Sequence, residues 1–276
     1  ILTLLDEKKV YSIENVQTTK LGTLDGYKFF NYGIVTYNNQ KIVFLDYNGN
    51  AIWENEDKSF SNQVFVTDKY IFRYTESTIR VLDKNNQIFV IAEIEGNILN
   101  VSRENDKTYI ITKNTDGKNL LYVMNDKNEM VVDNKIFEEN ITSVSISDKS
   151  EGYAIVTLRF EGGKIVNTIH FNLLDDVELW SFPIEDEVLV KLKIVNNNVI
   201  AIGTNNVYYF NLNGKLLWKN GVYSKILDYY INTENEKIYM LYNKDGSEEL
   251  IVYNFEGKVV SVNKVSSATK KLKVYD

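Results

Sequence analysis

Phe44-Leu45-Asp46-Tyr47-Asn48-Gly49-Asn50-Ala51-Ile52-Trp53-Glu54-Asn55 is an apolar run, a short polar turn and a second run that begins apolar. An Asp side chain can bond the backbone two residues on, and Gly tolerates a positive φ, so Asp46 to Gly49 reads as a tight hairpin turn. The same grammar recurs seven times, anchored at Asp6, Asp46, Asp83, Asn125, Asn172, Asn211 and Asn254. A large apolar residue precedes each anchor: Leu5, Leu45, Leu82, Met124, Phe171, Phe210 and Tyr253. Three residues beyond stand Lys9, Gly49, Asn86, Asn128, Asp175, Gly214 and Gly257, mostly types that accept a left-handed turn conformation. Seven residues after three of the anchors comes a bulky apolar residue, Ile13, Trp53 or Trp218. Trp180 lies eight after Asn172, which reads as one extra residue in that hairpin. The spacings between anchors are 40, 37, 42, 47, 39 and 43 residues.

Between anchors the chain reads as strands. Residues 63–67, 70–74, 78–82 and 87–91 are rich in Val, Ile, Tyr and Phe and are broken by Asp, Asn, Lys and Gly. No helical periodicity competes. Four strands per repeat of about 40 residues is the signature of a β-propeller blade, with the anchor turn joining its third and fourth strands. The expected fold is all-β: a propeller of seven four-stranded blades in one domain over residues 1–276. Six units are complete. The first fifteen residues supply only a third and a fourth strand, and residues 270–276 supply a first strand. Sharing one blade between the termini would close the ring and leave no open sheet edge. The single proline, Pro183, is expected in a loop between repeats.

Composition narrows the function. The chain has 276 residues, 38 acids against 31 bases, a net charge of −7, one histidine and no cysteine. Nucleic-acid binders carry a basic patch or stripe. Here the only basic cluster is Lys264, Lys270, Lys271 and Lys273, so no nucleic-acid partner is expected. Without cysteine there are no disulfides, thiolate metal sites or cysteine nucleophile. No apolar run reaches the ~20 residues that span a membrane. The sequence opens at Ile1, so membrane attachment is expected only through an anchor missing from this chain. Abundant Asn, with many Lys, Ile and Tyr, matches codon bias in an AT-rich bacterial genome.

The hairpin resembles the repeat of pyrroloquinoline-quinone-type propellers, small-x-Asp-x-x-Thr-Gly-x-x-x-Trp. The nearest matches run from Phe44-Leu45-Asp46-Tyr47-Asn48-Gly49 to Trp53 and from Tyr209-Phe210-Asn211-Leu212-Asn213-Gly214 to Trp218. Phe44, Val81, Val123, His170, Tyr209 and Val252 stand where the family has a small residue. The Thr is missing, and Trp appears in only three hairpins. Quinoprotein enzymes of that family use dedicated acids, a metal and often a vicinal cysteine pair. The resemblance therefore implies the fold and no cofactor. In composition and repeat style the chain also looks like the membrane-anchored propellers of low-GC Gram-positive bacteria.

Catalytic constellations are weak. A Ser-His-Asp mechanism would have to run through His170, which sits at a strand position. One histidine and no cysteine cannot build the usual zinc site. Asp46-Tyr47-Asn48-Gly49-Asn50 opens like a calcium loop, but such a loop needs Gly at its sixth position and Glu at its twelfth, where this chain has Ala51 and Asp57. Gly162-Gly163 reads as a hairpin turn. No catalytic or metal residue is assigned, and the expectation is a non-enzyme.

The links from the fourth strand of one blade to the first strand of the next are acidic. They carry Glu54, Glu56 and Asp57; Glu93 and Glu95; Glu138 and Glu139; and Glu185, Asp186 and Glu187. In propellers these links share the top face. A negative surface steers basic partners. The expectation is thus an extracellular protein-interaction scaffold, on the outer face of a bacterial cell, binding a basic protein through these loops. The alternative is a cell-envelope glycan binder or hydrolase, using some of the 19 tyrosines and 13 phenylalanines as stacking faces.

Overall fold

A computed structural model describes residues 3–6, 9–12, 17–20, 24–30, 33–38, 41–56, 63–67, 69–148, 152–175, 177–221, 225–244, 246–266, 269, 271 and 272. Among these residues are 27 strands and no helix. Strands β1 (Thr3–Asp6), β2 (Lys9–Ser12) and β3 (Gln17–Lys20) form a three-stranded sheet. Six four-stranded sheets follow, each an antiparallel meander in chain order. The first is β4 (Gly26–Phe30), β5 (Gly33–Tyr37), β6 (Lys41–Leu45) and β7 (Ala51–Glu56), and the second β8 (Gln63–Val66), β9 (Tyr70–Tyr74), β10 (Thr78–Asp83) and β11 (Ile88–Glu93). The third is β12 (Asn97–Glu104), β13 (Lys107–Lys113), β14 (Asn119–Met124) and β15 (Met130–Phe137), and the fourth β16 (Asn140–Ile146), β17 (Gly152–Glu161), β18 (Lys164–Leu173) and β19 (Glu178–Glu185). The fifth is β20 (Leu189–Val195), β21 (Asn198–Gly203), β22 (Asn206–Asn211) and β23 (Leu216–Gly221), and the sixth β24 (Lys225–Asn232), β25 (Lys237–Lys244), β26 (Ser247–Asn254) and β27 (Val259–Val265).

The chain divides into two compact units. The first is Ile1–Arg103, Ile110–Leu120 and Asn125–Glu129; the second is Glu104–Tyr109, Leu121–Met124 and Met130–Asp276. In the first, Val35, Ile42, Phe44, Ile71 and Leu82 are buried between the first two four-stranded sheets. In the second, Phe171, Leu192 and Phe210 belong to a core joining the fourth and fifth sheets, and Ile200, Tyr209, Met240 and Tyr253 to one joining the fifth and sixth.

In the six four-stranded sheets these turns join third to fourth strands, as the repeat predicts, while the hairpin at Asp6 joins β1 to β2 of the three-stranded sheet. Asp46 Oδ1 accepts from the backbone N–H of Asn48 at 2.9 Å and of Asn50 at 2.8 Å. Slight burial works to raise the pKa of Asp46, but these bonds and those from the Asn50 side chain and the Gly49 backbone outweigh it, so its carboxyl sits below its ordinary value. Asp83, Asn125 and Asn211 make the same pair of bonds to the residues two and four on. Each tryptophan then fastens its sheet to the turn of the next. Trp53 Nε1 donates to Lys84 O at 2.8 Å, Trp180 to Leu212 O at 2.8 Å and Trp218 to Phe255 O at 2.7 Å. The rings of Trp180 and Trp218 lie over Gly214 and Gly257, where a Cβ would come within 2.7 Å of the indole.

Four expectations are corrected. Six sheets among the described residues have four strands, not seven; the seventh, β1–β3, has three. Its strands are consecutive in sequence, and no C-terminal strand joins it among the described residues. Residues 271 and 272 form no strand, and 273–276 lie outside the described residues. The fourth hairpin carries no extra residue. Leu173 N bonds Val177 O as Asp46 N bonds Asn50 O, so Leu173 occupies the anchor position. Phe171 pairs with Trp180 as Phe44 pairs with Trp53, which puts Asn172 in the buried place of Leu45. Finally, Pro183 lies within β19, opposite Thr168. β19 is the last strand of its sheet, so a residue without N–H is tolerated there.

Candidate binding surface at the strand links

The acidic links lie where a fourth strand ends and the next first strand begins. In the first unit, Glu54 and Glu56 are exposed on β7, and Glu93 and Glu95 are exposed around the end of β11. Glu54 is paired with Lys41 Nζ at 2.5 Å. Thr112 Oγ1 donates to Glu95 O at 2.7 Å, so this link is tied down by its backbone while its carboxylate faces water. Asp57 lies outside the described residues.

In the second unit the links meet a base each. Glu138 is exposed and Glu139 half-buried. Glu139 faces Arg159 Nη1 at 3.7 Å. Lys164 Nζ lies 3.2 Å from Glu185 and 3.7 Å from Asp186. Those hydrogen bonds and charges raise the pKa of Lys164. Sequence reasoning missed both bases. They stand on β17 and β18, flanking the Gly162-Gly163 turn, where both glycines have positive φ, 58° and 81°. A turn with φ above zero at both central residues is the one that continues the twist of a two-residue hairpin. The visible clue was the length of the two apolar runs on either side of that glycine pair.

Glu187 is not part of an exposed acidic surface: it is 4% exposed. Its Oε1 accepts from the backbone N–H of Asn205 and of Asn206, each at 2.7 Å. Its Oε2 accepts from Asn206 Nδ2 at 2.8 Å and from the Tyr208 hydroxyl at 2.6 Å. Burial, then the hydrogen bond to Glu187 and its charge, raise the pKa of Tyr208. A Cβ on Gly203 would sit 2.0 Å from Glu187 Oε1, so the carboxylate enters only because that residue is glycine. Glu187 therefore pins its link to the β21–β22 turn.

His170 is gripped from both sides. Its Nδ1 lies 2.9 Å from Glu178 Oε2 and its Nε2 lies 3.1 Å from Thr157 Oγ1. The order hydroxyl, imidazole, carboxylate is that of a nucleophile with its base and orienting acid. Thr157, however, is 1% exposed in the middle of β17, so its hydroxyl cannot meet a substrate. Among the described residues no three His, Asp or Glu side chains converge to hold a metal ion. The turn at Asp46 spends its acceptor on its own backbone, as a structural turn does.

At the opposite end of the second unit a cavity of about 310 Å³ is lined by Asn105, Asp148, Lys193, Asn196, Thr233 and Glu234, with Ile194 and Val195. Lys193 is paired with Glu104, whose Oε2 accepts from Ile146 N at 2.9 Å and whose Oε1 accepts from Ser145 Oγ at 3.2 Å.

Residues 6–276 match a family of unknown function, DUF5711. No curated protein matches the chain. Among solved structures, the Dos1 propeller is similar with a TM-score of 0.61 at 12% identity, over 95% of this chain and 77% of that one. BamB from Moraxella catarrhalis is similar with a TM-score of 0.51 at 14% identity, over 99% and 88%. KlAtg21, in complex with the coiled-coil of AgAtg16, is similar with a TM-score of 0.55 at 13% identity, over 94% and 93%. At these identities the likeness is one of fold: the chain is a β-propeller.

Proposed function

The chain belongs to this family of unknown function, and we propose that it is a non-enzymatic protein-interaction scaffold on the outer face of a bacterial cell. Its partner is a protein with a basic surface. Each unit offers its own acidic links for contact, Glu54, Glu56, Glu93 and Glu95 in the first and Glu138, Glu139, Glu185 and Asp186 in the second. One observation carries the reading: successive links place carboxylates at the same end of their sheets, most of them exposed. Like charge along the links of a unit speeds encounter with an opposite surface and selects against acidic competitors. The complex of KlAtg21 with a coiled-coil supports protein binding by a protein of this fold. The outer-face location rests on the resemblance to membrane-anchored propellers.

The test is an affinity capture from solubilised envelope of the source cell. It compares the native protein with a variant carrying Glu54→Lys, Glu93→Lys, Glu185→Lys and Asp186→Lys. A basic protein that is retained by the native chain, released by rising salt and lost with the variant supports the reading. Retention of wall polysaccharide alone, unchanged by the charge reversal, supports the glycan-binding alternative. The observation favouring that alternative is the exposed pair Tyr27 and Phe29 on β4, with ring centroids 5.6 Å apart.

A further inference from the structure

The first strand of each sheet starts at a link and ends at a turn into the second strand, so these turns lie at the end away from the acidic links. In the second unit they line the cavity of about 310 Å³. Asn105 comes from the β12–β13 turn, Asp148 from the segment after β16, Lys193 and Ile194 from β20, and Thr233 and Glu234 from the β24–β25 turn. That volume is at the lower end of small-molecule sites, which start at about 300 Å³.

The wall is fixed by its own hydrogen bonds, and they leave it rich in acceptors. The ammonium of Lys193 is met by Glu104, so the lining's one cation is neutralised from behind. Asn105 Nδ2 donates to Ile146 O at 2.6 Å, which puts the amide oxygen on the other side as an acceptor. Ile194 N donates to Ser145 Oγ at 2.8 Å, away from β21. In an antiparallel strand the N–H and C=O of one residue point to the same side, so Ile194 O faces away from β21 as well. Asn232 Oδ1 holds the β24–β25 turn, accepting from Glu234 N at 3.0 Å and Asn235 N at 2.9 Å. Asp148 and Glu234 are both exposed, and among the described residues neither carboxylate has a cation of its own. They flank β20. The fifth sheet packs by one face on the fourth, which carries Asp148, and by the other on the sixth, which carries Glu234.

We propose that this cavity binds a short organic diamine or polyamine, with one ammonium group at Asp148 and another at Glu234. An ammonium brings three donors and no acceptor, which suits a wall of carbonyl, hydroxyl and carboxylate oxygens. Its bonds to carboxylates are charge-assisted, and a concave site of one sign concentrates the opposite ion. Two charges are specified because the two free carboxylates come from different sheets. A bare metal ion fits less well, since among the described residues no three acidic or imidazole side chains converge to hold one. The site stands apart from the acidic links and does not depend on the scaffold reading.

Titration calorimetry of the full chain with putrescine and with spermidine, at constant ionic strength, tests it. Saturable binding at one site is expected, with butylamine and magnesium weaker by about tenfold or more. The double variant Asp148→Asn, Glu234→Gln should weaken diamine binding by about tenfold or more, and each single change by less. Both side chains are exposed, so circular dichroism and the urea midpoint should not move. Glu185→Gln with Asp186→Asn, at the links, should leave diamine binding unchanged. Absence of saturable binding, equal binding of butylamine or magnesium, or indifference to the Asp148 and Glu234 changes overturns the proposal. An equal loss with the link variant shows a response to net charge alone and overturns it too, without touching the scaffold reading. Tighter binding of a Lys-Gly-Lys peptide than of either amine gives the cavity to a lysine-bearing protein segment and overturns the free amine.

Discussion

Glu185, Asp186 and Glu187 are consecutive acids in one link, yet only the first two face water; the third is buried against four donors. Composition cannot separate them, because the difference is made about twenty residues away, by Gly203 leaving room and by Asn205, Asn206 and Tyr208 supplying partners. The energetic contrast is large. Exposed charge changes usually cost within ~0.5 kcal/mol. Removing the Glu187 carboxylate strands two backbone N–H groups, an amide and a hydroxyl, and buried unsatisfied donors cost about 1–3 kcal/mol apiece before relaxation. In urea denaturation, Glu185→Lys with Asp186→Lys should shift stability by less than about 1 kcal/mol, and Glu187→Ala alone should remove about 3 kcal/mol or more. Equal effects would mean that Glu187 is not holding its link.

At the scale of the hairpin, the repeat was legible because its chemistry is local. An Asp or Asn that bonds the residues two and four on announces itself in any sequence. What stayed hidden was the register of the fourth hairpin. Asn172 looks like an anchor, but its side-chain nitrogen and oxygen are buried without a hydrogen-bond partner. Leu173, at the true anchor position, offers no acceptor to the turn. Trp180 decides the register: it stacks on Phe171 with ring centroids 5.8 Å apart, and that pairing outweighs the cost of one buried amide. Local preference and packing conflict here, and packing wins. Exchanging the two residues, Asn172→Leu with Leu173→Asn, should restore agreement and raise stability by about 1–3 kcal/mol in denaturant melts. A destabilised protein would show that the buried amide has a partner the geometry does not reveal. The next turn makes the opposite prediction. Gly214 has φ of 78° beneath the Trp180 ring, so Gly214→Ala should cost about 1–3 kcal/mol from backbone strain and overlap together. Recovery in Gly214→Ala with Trp180→Leu would confirm the overlap as part of that cost.

For the whole molecule, six complete four-strand units were legible from anchor spacing, while the terminal arrangement was not. A terminal strand has no repeat partner to define it, and the seven-blade expectation read the hairpin at Asp6 as half of a blade that residues 270–276 would complete, whereas β1 and β2 pair on with β3. The site was legible only as charge. Its bases, Arg159 and Lys164, lie in the middle strands, outside the links where acids were sought. Burial of tyrosine is the other property that needs the fold, and it makes stability depend on pH. Burial is the leading cause that raises the pKa of Tyr37, Tyr74, Tyr208, Tyr209, Tyr229 and Tyr242. For Tyr209, burial and then the charges of Glu236 and Glu256 push it up to about 12. The unfolded chain ionises these hydroxyls near pH 10. Below that pH both states are neutral and the contribution to stability is complete. As pH rises from about 10 towards 12, the unfolded state gains by losing protons and the folded state cannot, so stability falls. Tyrosinate absorbance followed alongside circular dichroism should therefore show Tyr37, Tyr74, Tyr208, Tyr209, Tyr229 and Tyr242 ionising only as the strands unfold, cooperatively. Tyr209→Phe should move that unfolding step to higher pH. Ionisation of Tyr208, Tyr209, Tyr229 and Tyr242 near pH 10, with the sheet signal intact, would mean that the packing between the fifth and sixth sheets is far looser than its buried aromatics indicate.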